Sequence, residues 1–305
     1  MNELLVKKDI NKKITKAQFA EDVVCLFQNL KETYGMYDYF GDDKFQAAKQ
    51  EILDGLEKEY EFEKAVLHIK EALSFVKDGH FFVGVPKPSE QKYSYAVRYG
   101  MYHGVAMIDC KKFYYESEEE KEQLENLAKK AGAYKNIEPL ILDFRDNAGG
   151  STVYIYDFLV ELIGQEIGYS MKFCQRYSGL FRDFLKMRKI ENIPDEQEEW
   201  QEECCPKVLN QKPIYVLFNE NTASAAEEGI AFLRNIENVT LVGDHTRGCV
   251  SSGNCINIYL PNSHLNAYFG TGIVLYDGYR NIDAEGGFRG DISFSDFEQL
   301  IRKIK

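Results

Sequence analysis

Two short segments of this chain carry the residue types of a nucleophile and of the groups that stabilise a developing negative charge. The first reads Asn219-Glu-Asn-Thr-Ala-Ser-Ala-Ala-Glu227. It follows the apolar run Ile214–Phe218 and opens a helical stretch, which puts Ser224 at a strand-to-helix junction. There its hydroxyl is exposed, small Ala223 and Ala225 let a substrate approach closely, and the N–H groups of the first helical turn can donate to an oxyanion. Serine also commonly begins helices, and on its own the segment reads as a plain helix start. The second segment reads Asp143-Phe-Arg-Asp-Asn-Ala-Gly-Gly150. It follows the apolar run Pro139–Leu142, and Gly149 and Gly150 permit positive φ and close backbone approach. Such a turn can aim an N–H at an oxyanion. Alone, it is as readily an ordinary turn in which Asp143 and Arg145 pair structurally.

The elements that must position these segments follow from periodicity. Residues 1–85 read as a small helical domain and 86–305 as a separate core. Thr15 caps a helix with Phe19, Val23, Leu26, Phe27 and Leu30 at helical spacing, and Gly35 breaks it. Asp42 or Asp43 caps a second helix carrying Phe45, Ala48, Ile52 and Leu56. A third runs from Phe62 through Val66, Ile69, Leu73 and Val76 to Asp78-Gly79, where glycine suits a left-handed cap. His80 follows directly. Beyond residue 86, strands at 105–109, 140–144, 214–218 and 239–242 alternate with helices at 117–131, from 152, at 223–235 and from 295. Ser117 with Glu120 forms a capping box. This alternation predicts an α/β fold with a mainly parallel or mixed sheet covered by helices. The acidic, polar stretch 187–206 holds the only tryptophan, Trp200, and reads as an insertion or lid.

Composition bounds the function. The chain has 305 residues, 44% of them hydrophobic, enough to bury a core. Its formal net charge of −12 disfavours nucleic acid, whose phosphates it would repel. The seven cysteines are odd in number and irregularly spaced, which argues against a disulfide framework. No CxxC pair exists, so no metal site is expected, and no organic cofactor is implied. Of the thiols, adjacent Cys204 and Cys205 in a polar loop stand out. The first residues lack the apolar run of a signal peptide, and no stretch approaches the ~18 apolar residues of a membrane span. A reduced, cytoplasmic setting is the expectation.

Taken together and in order, the motifs resemble the serine peptidase superfamily of C-terminal processing proteases and tricorn core proteases. Val242-Gly-Asp-His-Thr-Arg-Gly248 is similar to the family's loop after the next strand. Ala284-Glu-Gly-Gly-Phe-Arg-Gly-Asp291 is similar to its Glu-Gly-x-Gly-x-x-Pro-Asp segment, with Gly290 in place of proline. The resemblance spans about residues 100–295. It implies a crotonase/ClpP-like spiral β-α core and peptide or protein substrates. Two departures matter. Many bacterial members use a Ser-Lys dyad, but the lysine position here reads Gly248-Cys249-Val250, and a thiol does not replace a lysine without a strongly altered pKa. The stretch 81–104 is also too short for a PDZ domain. The tricorn-like branch instead takes its base from upstream, and Lys77-Asp-Gly-His-Phe-Phe82 is similar to that branch's Asp-Gly-His-Thr.

The resemblance implies Ser224 as nucleophile and His80 as general base, from opposite sides of a site between the helical domain and the core. Ala225 and Gly149 or Gly150 would supply oxyanion N–H groups, and Glu285 would support the imidazole. The serine that precedes the histidine in the tricorn branch is Gly79 here, so that relay member is missing. Asp78 is the local rival of Glu285, and His245 is a reserve base. His68, His103 and His264 lie in contexts without chemistry. Glu227, one turn into the helix, is expected to cap or pair with backbone. Two other classes fit parts of the pattern. A ligand-binding protein of the same fold would suit 20 Tyr and 20 Phe, but it has no need of the Ser-His pair and the glycines. A crotonase-like acyl-transfer enzyme would use the oxyanion N–H groups without the Thr-Ala-Ser motif.

Overall fold

The computed structural model describes residues 2–86 and 93–303. In chain order the helices and strands are α1 (Lys16–Thr33), α2 (Tyr37–Phe40), α3 (Asp42–Lys58), α4 (Phe62–Ala72), β1 (Phe82–Gly84), β2 (Val97–Tyr102), β3 (Val105–Cys110), α5 (Glu118–Glu125), α6 (Leu127–Tyr134), β4 (Leu140–Asp143), α7 (Thr152–Ile163), β5 (Met171–Arg176), α8 (Gly179–Met187), β6 (Glu198–Glu203), β7 (Ile214–Leu217), α9 (Ala225–Arg234), β8 (Val239–Val242), β9 (Ser252–Tyr259), β10 (Asn266–Tyr276) and α10 (Phe294–Ile301). They form two compact units, and neither is continuous in sequence. The first comprises Met1–Ser89, Lys172–Gln201 and Ser251–Val274; the second comprises Glu90–Met171, Glu202–Val250 and Leu275–Lys305. The N-terminal helices thus share their unit with strands from much later in the chain.

In the first unit, α1 begins as its sequence dictates. Thr15 Oγ1 accepts the Gln18 N–H at 3.2 Å, and Gln18 Oε1 accepts the Thr15 N–H at 2.8 Å, the reciprocal capping box. The face bearing Phe19, Val23, Leu26, Phe27 and Leu30 is buried. Phe45 of α3 stacks on Tyr37, with ring centroids 4.2 Å apart and the planes inclined by 13°. After α1 the chain meets β10 backbone to backbone. The Gly35 N–H donates to the Gly270 carbonyl at 3.0 Å, and a Cβ on Gly35 would lie 2.5 Å from the Gly272 carbonyl carbon. Only glycine fits that approach. The sheet runs β1-β10-β5-β6, with β9 also paired to β10. Two expectations change. The third helix stops at Ala72, and Asp78-Gly79 lies in the following loop. Within 187–206, Glu198–Glu203 is the edge strand β6.

In the second unit, a five-stranded sheet runs β2-β3-β4-β7-β8. β2 and β3 are antiparallel, while β3, β4, β7 and β8 are parallel. β4 and β7 are buried throughout, which explains their unbroken apolar runs. Ile141, Tyr215, Leu217 and Val242 cluster with Phe297 and Ile301 of α10. The register pairs Asp143 with Leu217 and Leu217 with Val242. The loops after β4, β7 and β8 therefore leave from one carboxyl edge of the sheet, where open α/β sheets bind ligands. The expected single helix over 117–131 is two, α5 and α6, joined at Asn126.

Asp22 tests how the first unit is tied. It is fully buried, and it accepts the N–H groups of Asn262 and Ser263 at 2.8 and 2.7 Å and the Asn262 side chain at 3.0 Å. Asp22→Ala strands these donors and should lower stability by about 2–3 kcal/mol, measured by chemical denaturation. An unchanged midpoint would show that α1 is not held there.

Candidate active site

Ser224 sits at the N-terminus of α9 with φ 57° and ψ −126°. A positive φ is uncommon for serine and marks local strain of the kind stored at functional sites. Several hydrogen bonds hold it there. The Ser224 N–H donates to the Cys249 carbonyl at 3.1 Å and to Glu227 Oε2 at 3.0 Å. The Ala223 N–H donates to the Asn147 carbonyl at 2.9 Å. Thr222 Oγ1 donates to the Phe144 carbonyl at 2.8 Å.

The glycine turn after β4 is fixed by its own side chains. Asp143 accepts the Arg145 N–H at 3.0 Å and its guanidinium at 2.9 and 2.6 Å. Buried Asn147 donates to the Cys110 carbonyl at 3.0 Å and accepts the Gly149 N–H at 2.9 Å. Asp146 accepts from Asn219 and Asn221 at 3.2 and 2.9 Å, joining this turn to the one that leads into Ser224. The polar motif residues thus act mainly as turn builders. They bring Gly149 directly against the serine: a Cβ on Gly149, whose φ is +91°, would lie 2.6 Å from Ser224 Cβ and 2.9 Å from the Ala225 nitrogen.

Of the expected site residues, Ser224, Ala225, Gly149 and Gly150 are brought together. The N–H groups of Ala225 and Gly150 have no acceptor among the described residues. The Gly149 N–H is already donated to Asn147, so Gly150 is the glycine free to face an oxyanion. Glu285 also lies in the second unit. Its Oε1 accepts the N–H groups of Arg280 and Asn281 at 2.9 and 3.2 Å, which makes it first a turn cap. His80 lies in the first unit, between α4 and β1. Its N–H donates to Asp78 Oδ1 at 2.8 Å, and its ring meets Tyr268 edge-on at 6.4 Å. Asp78 is buried and also accepts the Tyr34 and Ser252 hydroxyls at 2.7 and 2.9 Å. It therefore fixes the backbone that carries the histidine. His245 Nδ1 lies 2.7 Å from the Thr246 carbonyl. No cluster of metal-ligating side chains occurs among the described residues.

With this geometry in place, likeness to known proteins decides the family. A model of peptidase family S41 matches residues 104–293, more than half of the chain. The chain belongs to peptidase family S41. It is therefore a serine-type peptidase, and protein or peptide is its substrate class. Among curated proteins none matches it. Solved structures share its fold. Mature CPAF is similar with a TM-score of 0.69 at 11% identity, covering 94% of this chain and 97% of that one. A lipoprotein from Streptococcus agalactiae is similar with a TM-score of 0.56 at 16% identity, covering 93% and 96%. No helix among the described residues is long and apolar enough to cross a membrane.

The peptidase has one key residue whose part could not be drawn from the motif alone. Glu227 is fully buried. Its carboxylate accepts the Ser224 N–H at 3.0 Å, the Thr246 hydroxyl at 2.6 Å, and the Gly248 and Cys249 N–H groups at 2.9 and 2.8 Å. The expectation that it pairs with backbone is met on a larger scale, because it joins the serine to the loop after β8. That loop includes the position where a Ser-Lys member would carry its lysine. Burial outweighs these donors, and Asp283 adds repulsion, so the carboxyl is pushed from 4.5 up to about 7. The folded value is raised, so the stability linked to the protonated form is complete below pH 4.5 and is lost as pH rises through 7. Denaturation of wild type and Glu227→Gln from about pH 4 to about pH 8 should show the wild type losing about 3 kcal/mol relative to the variant. A pH-independent gap would mean that burial does not perturb this group.

Proposed function

We propose that this S41 peptidase cleaves peptide bonds through an acyl-enzyme on Ser224, with His80 as general base. The observation that carries the reading is the strained Ser224 held against Gly149, with the N–H groups of Ala225 and Gly150 uncommitted beside it. The imidazole takes the Ser224 proton as Oγ attacks the scissile carbonyl. The carbonyl oxygen becomes an oxyanion that accepts from Ala225 and Gly150. Loss of one such donor costs about 3 kcal/mol of transition-state stabilisation. As the C–N bond breaks, the imidazolium returns the proton to the leaving amine. Water, deprotonated by the same imidazole, then attacks the ester, and Ser224 recovers its proton.

Glu285 is assigned the support of the charged imidazole. Its Oε2 accepts no hydrogen bond among the described residues, while Oε1 caps the turn at Arg280 and Asn281. Asp78 is assigned the positioning of the His80 backbone. Gly149 contributes by lacking a side chain, and Cys249 through its carbonyl rather than its thiol.

A fluorophosphonate probe followed by intact mass tests the assignment on wild type, Ser224→Ala and His80→Ala. The expected result is one adduct on the wild type, none on Ser224→Ala, and a rate at least about a hundredfold lower on His80→Ala. Equal labelling of wild type and His80→Ala would remove His80 from the mechanism. A folded wild type that takes no label would remove the nucleophile.

A further inference from the structure

The face of the first unit that carries His80 holds a second feature. Cys255, Asn257 and Tyr259 alternate along β9 with buried Ile256 and Ile258, so the first three share the outward face of the sheet. Asn257 is registered directly opposite Tyr268 of β10, so Tyr268 projects from that same face. Its ring is the one that meets the His80 imidazole at 6.4 Å. A cavity of about 300 Å³ opens on this face, lined by Cys255, Asn257 and Tyr259, by Phe184, Met187 and Arg188 around the end of α8, and by Leu5 and Lys7. That volume lies at the lower end of ligand-sized clefts, roughly 300–1,000 Å³.

The chemistry of the lining is selective. Leu5, Phe184 and Met187 give it apolar walls, and Met187 is 42% exposed. Asn257 Oδ1 accepts the Asn266 amide at 2.9 Å, which orients the Asn257 amide and leaves its N–H₂ able to donate. Arg188 lies over the Phe184 ring at 5.3 Å. Among the described residues, neither Arg188 nor Lys7 has an acidic partner, and no carboxylate lines the cavity. In a chain of net charge −12, a cleft with two uncommitted cations and no acid is complementary to negative charge.

We propose that this cleft is a substrate subsite, which takes a peptide segment with a bulky apolar side chain next to an acidic one. The apolar group enters between Leu5, Phe184 and Met187, the carboxylate meets Lys7 and Arg188, and Asn257 donates to the peptide. The assignment rests on His80 as the catalytic base, because proximity to that residue is what makes the cleft part of the peptidase site.

The test uses the full chain carrying Ser224→Ala, so that peptides bind without being cut. Three fluorescein-labelled peptides that differ only in Glu, Gln or Lys beside a central leucine are titrated by anisotropy at low ionic strength. The Glu peptide should bind about five- to tenfold more tightly than the Gln peptide, the effect of two exposed charge contacts, and the Lys peptide most weakly. Adding Lys7→Glu and Arg188→Glu should reverse the order, a gain for the Lys peptide that misfolding could not produce. Equal affinities, no binding, or an unchanged order in the charge-reversed chain would overturn the subsite. Fluorophosphonate labelling of the unsubstituted chain separates the two claims. A labelled Ser224 with no charge preference sinks the subsite alone, whereas an unlabelled wild type sinks the catalytic reading and the subsite with it.

Discussion

A carboxylate without water around it must be met by donors, and Glu227 is met by four. Two come from its own junction and the loop start, the Ser224 N–H and the Thr246 hydroxyl; two are the successive N–H groups of Gly248 and Cys249. Burying such a charge costs several kcal/mol, and the four donors offset part of that cost. The arrangement therefore tolerates little slack: if one loop moves, a buried donor or acceptor is left unpaired. The same bonds that satisfy Glu227 hold Ser224 in a backbone conformation it would otherwise avoid. The desolvation cost is spread over a loop–helix junction, and its product is a serine fixed at the carboxyl edge of a parallel sheet.

Asn147 does for the glycine turn what Glu227 does for the helix. Its side chain joins the end of β3 to Gly149, and its carbonyl takes the N–H of Ala223, the residue before the serine. Preorganisation of this kind matters because an oxyanion donor is effective only if it is already aimed when charge develops. The Gly149 N–H is spent on that brace, and the missing Gly149 side chain leaves room for Ser224. Adjacent glycines in one motif thus do different jobs, one by absence and one by its uncommitted N–H.

Much of this was legible in the residues because it is local. The apolar runs Pro139–Leu142 and Ile214–Phe218 read as strands, and Thr15 read as the cap that starts α1. The order of the Gly-Gly and Thr-Ala-Ser motifs pointed to the family and to Ser224. What stayed hidden depends on partners distant in sequence. Leu73 and Val76 continue the helical spacing of α4, yet the helix ends at Ala72, and Asp78 takes donors from Tyr34 and Ser252. The acidic, polar composition of 187–206 suggested an insertion or lid and did not reveal β6 within it, because a solvated edge strand and a loop have similar residues. Glu227 read as a capping acid because three of its four donors are the Thr246 hydroxyl and the N–H groups of 248 and 249, some twenty positions away.

The central claim is that the buried Glu227 carboxylate, through its four donors, holds Ser224 ready to react. The most direct measurement is the second-order rate of fluorophosphonate labelling of Glu227→Gln at about pH 8, on protein shown by circular dichroism to be folded. An amide cannot accept four donors, because one of its heteroatoms is itself a donor. The account predicts labelling about a hundredfold slower than wild type. A folded Glu227→Gln protein that labels at the wild-type rate would contradict it.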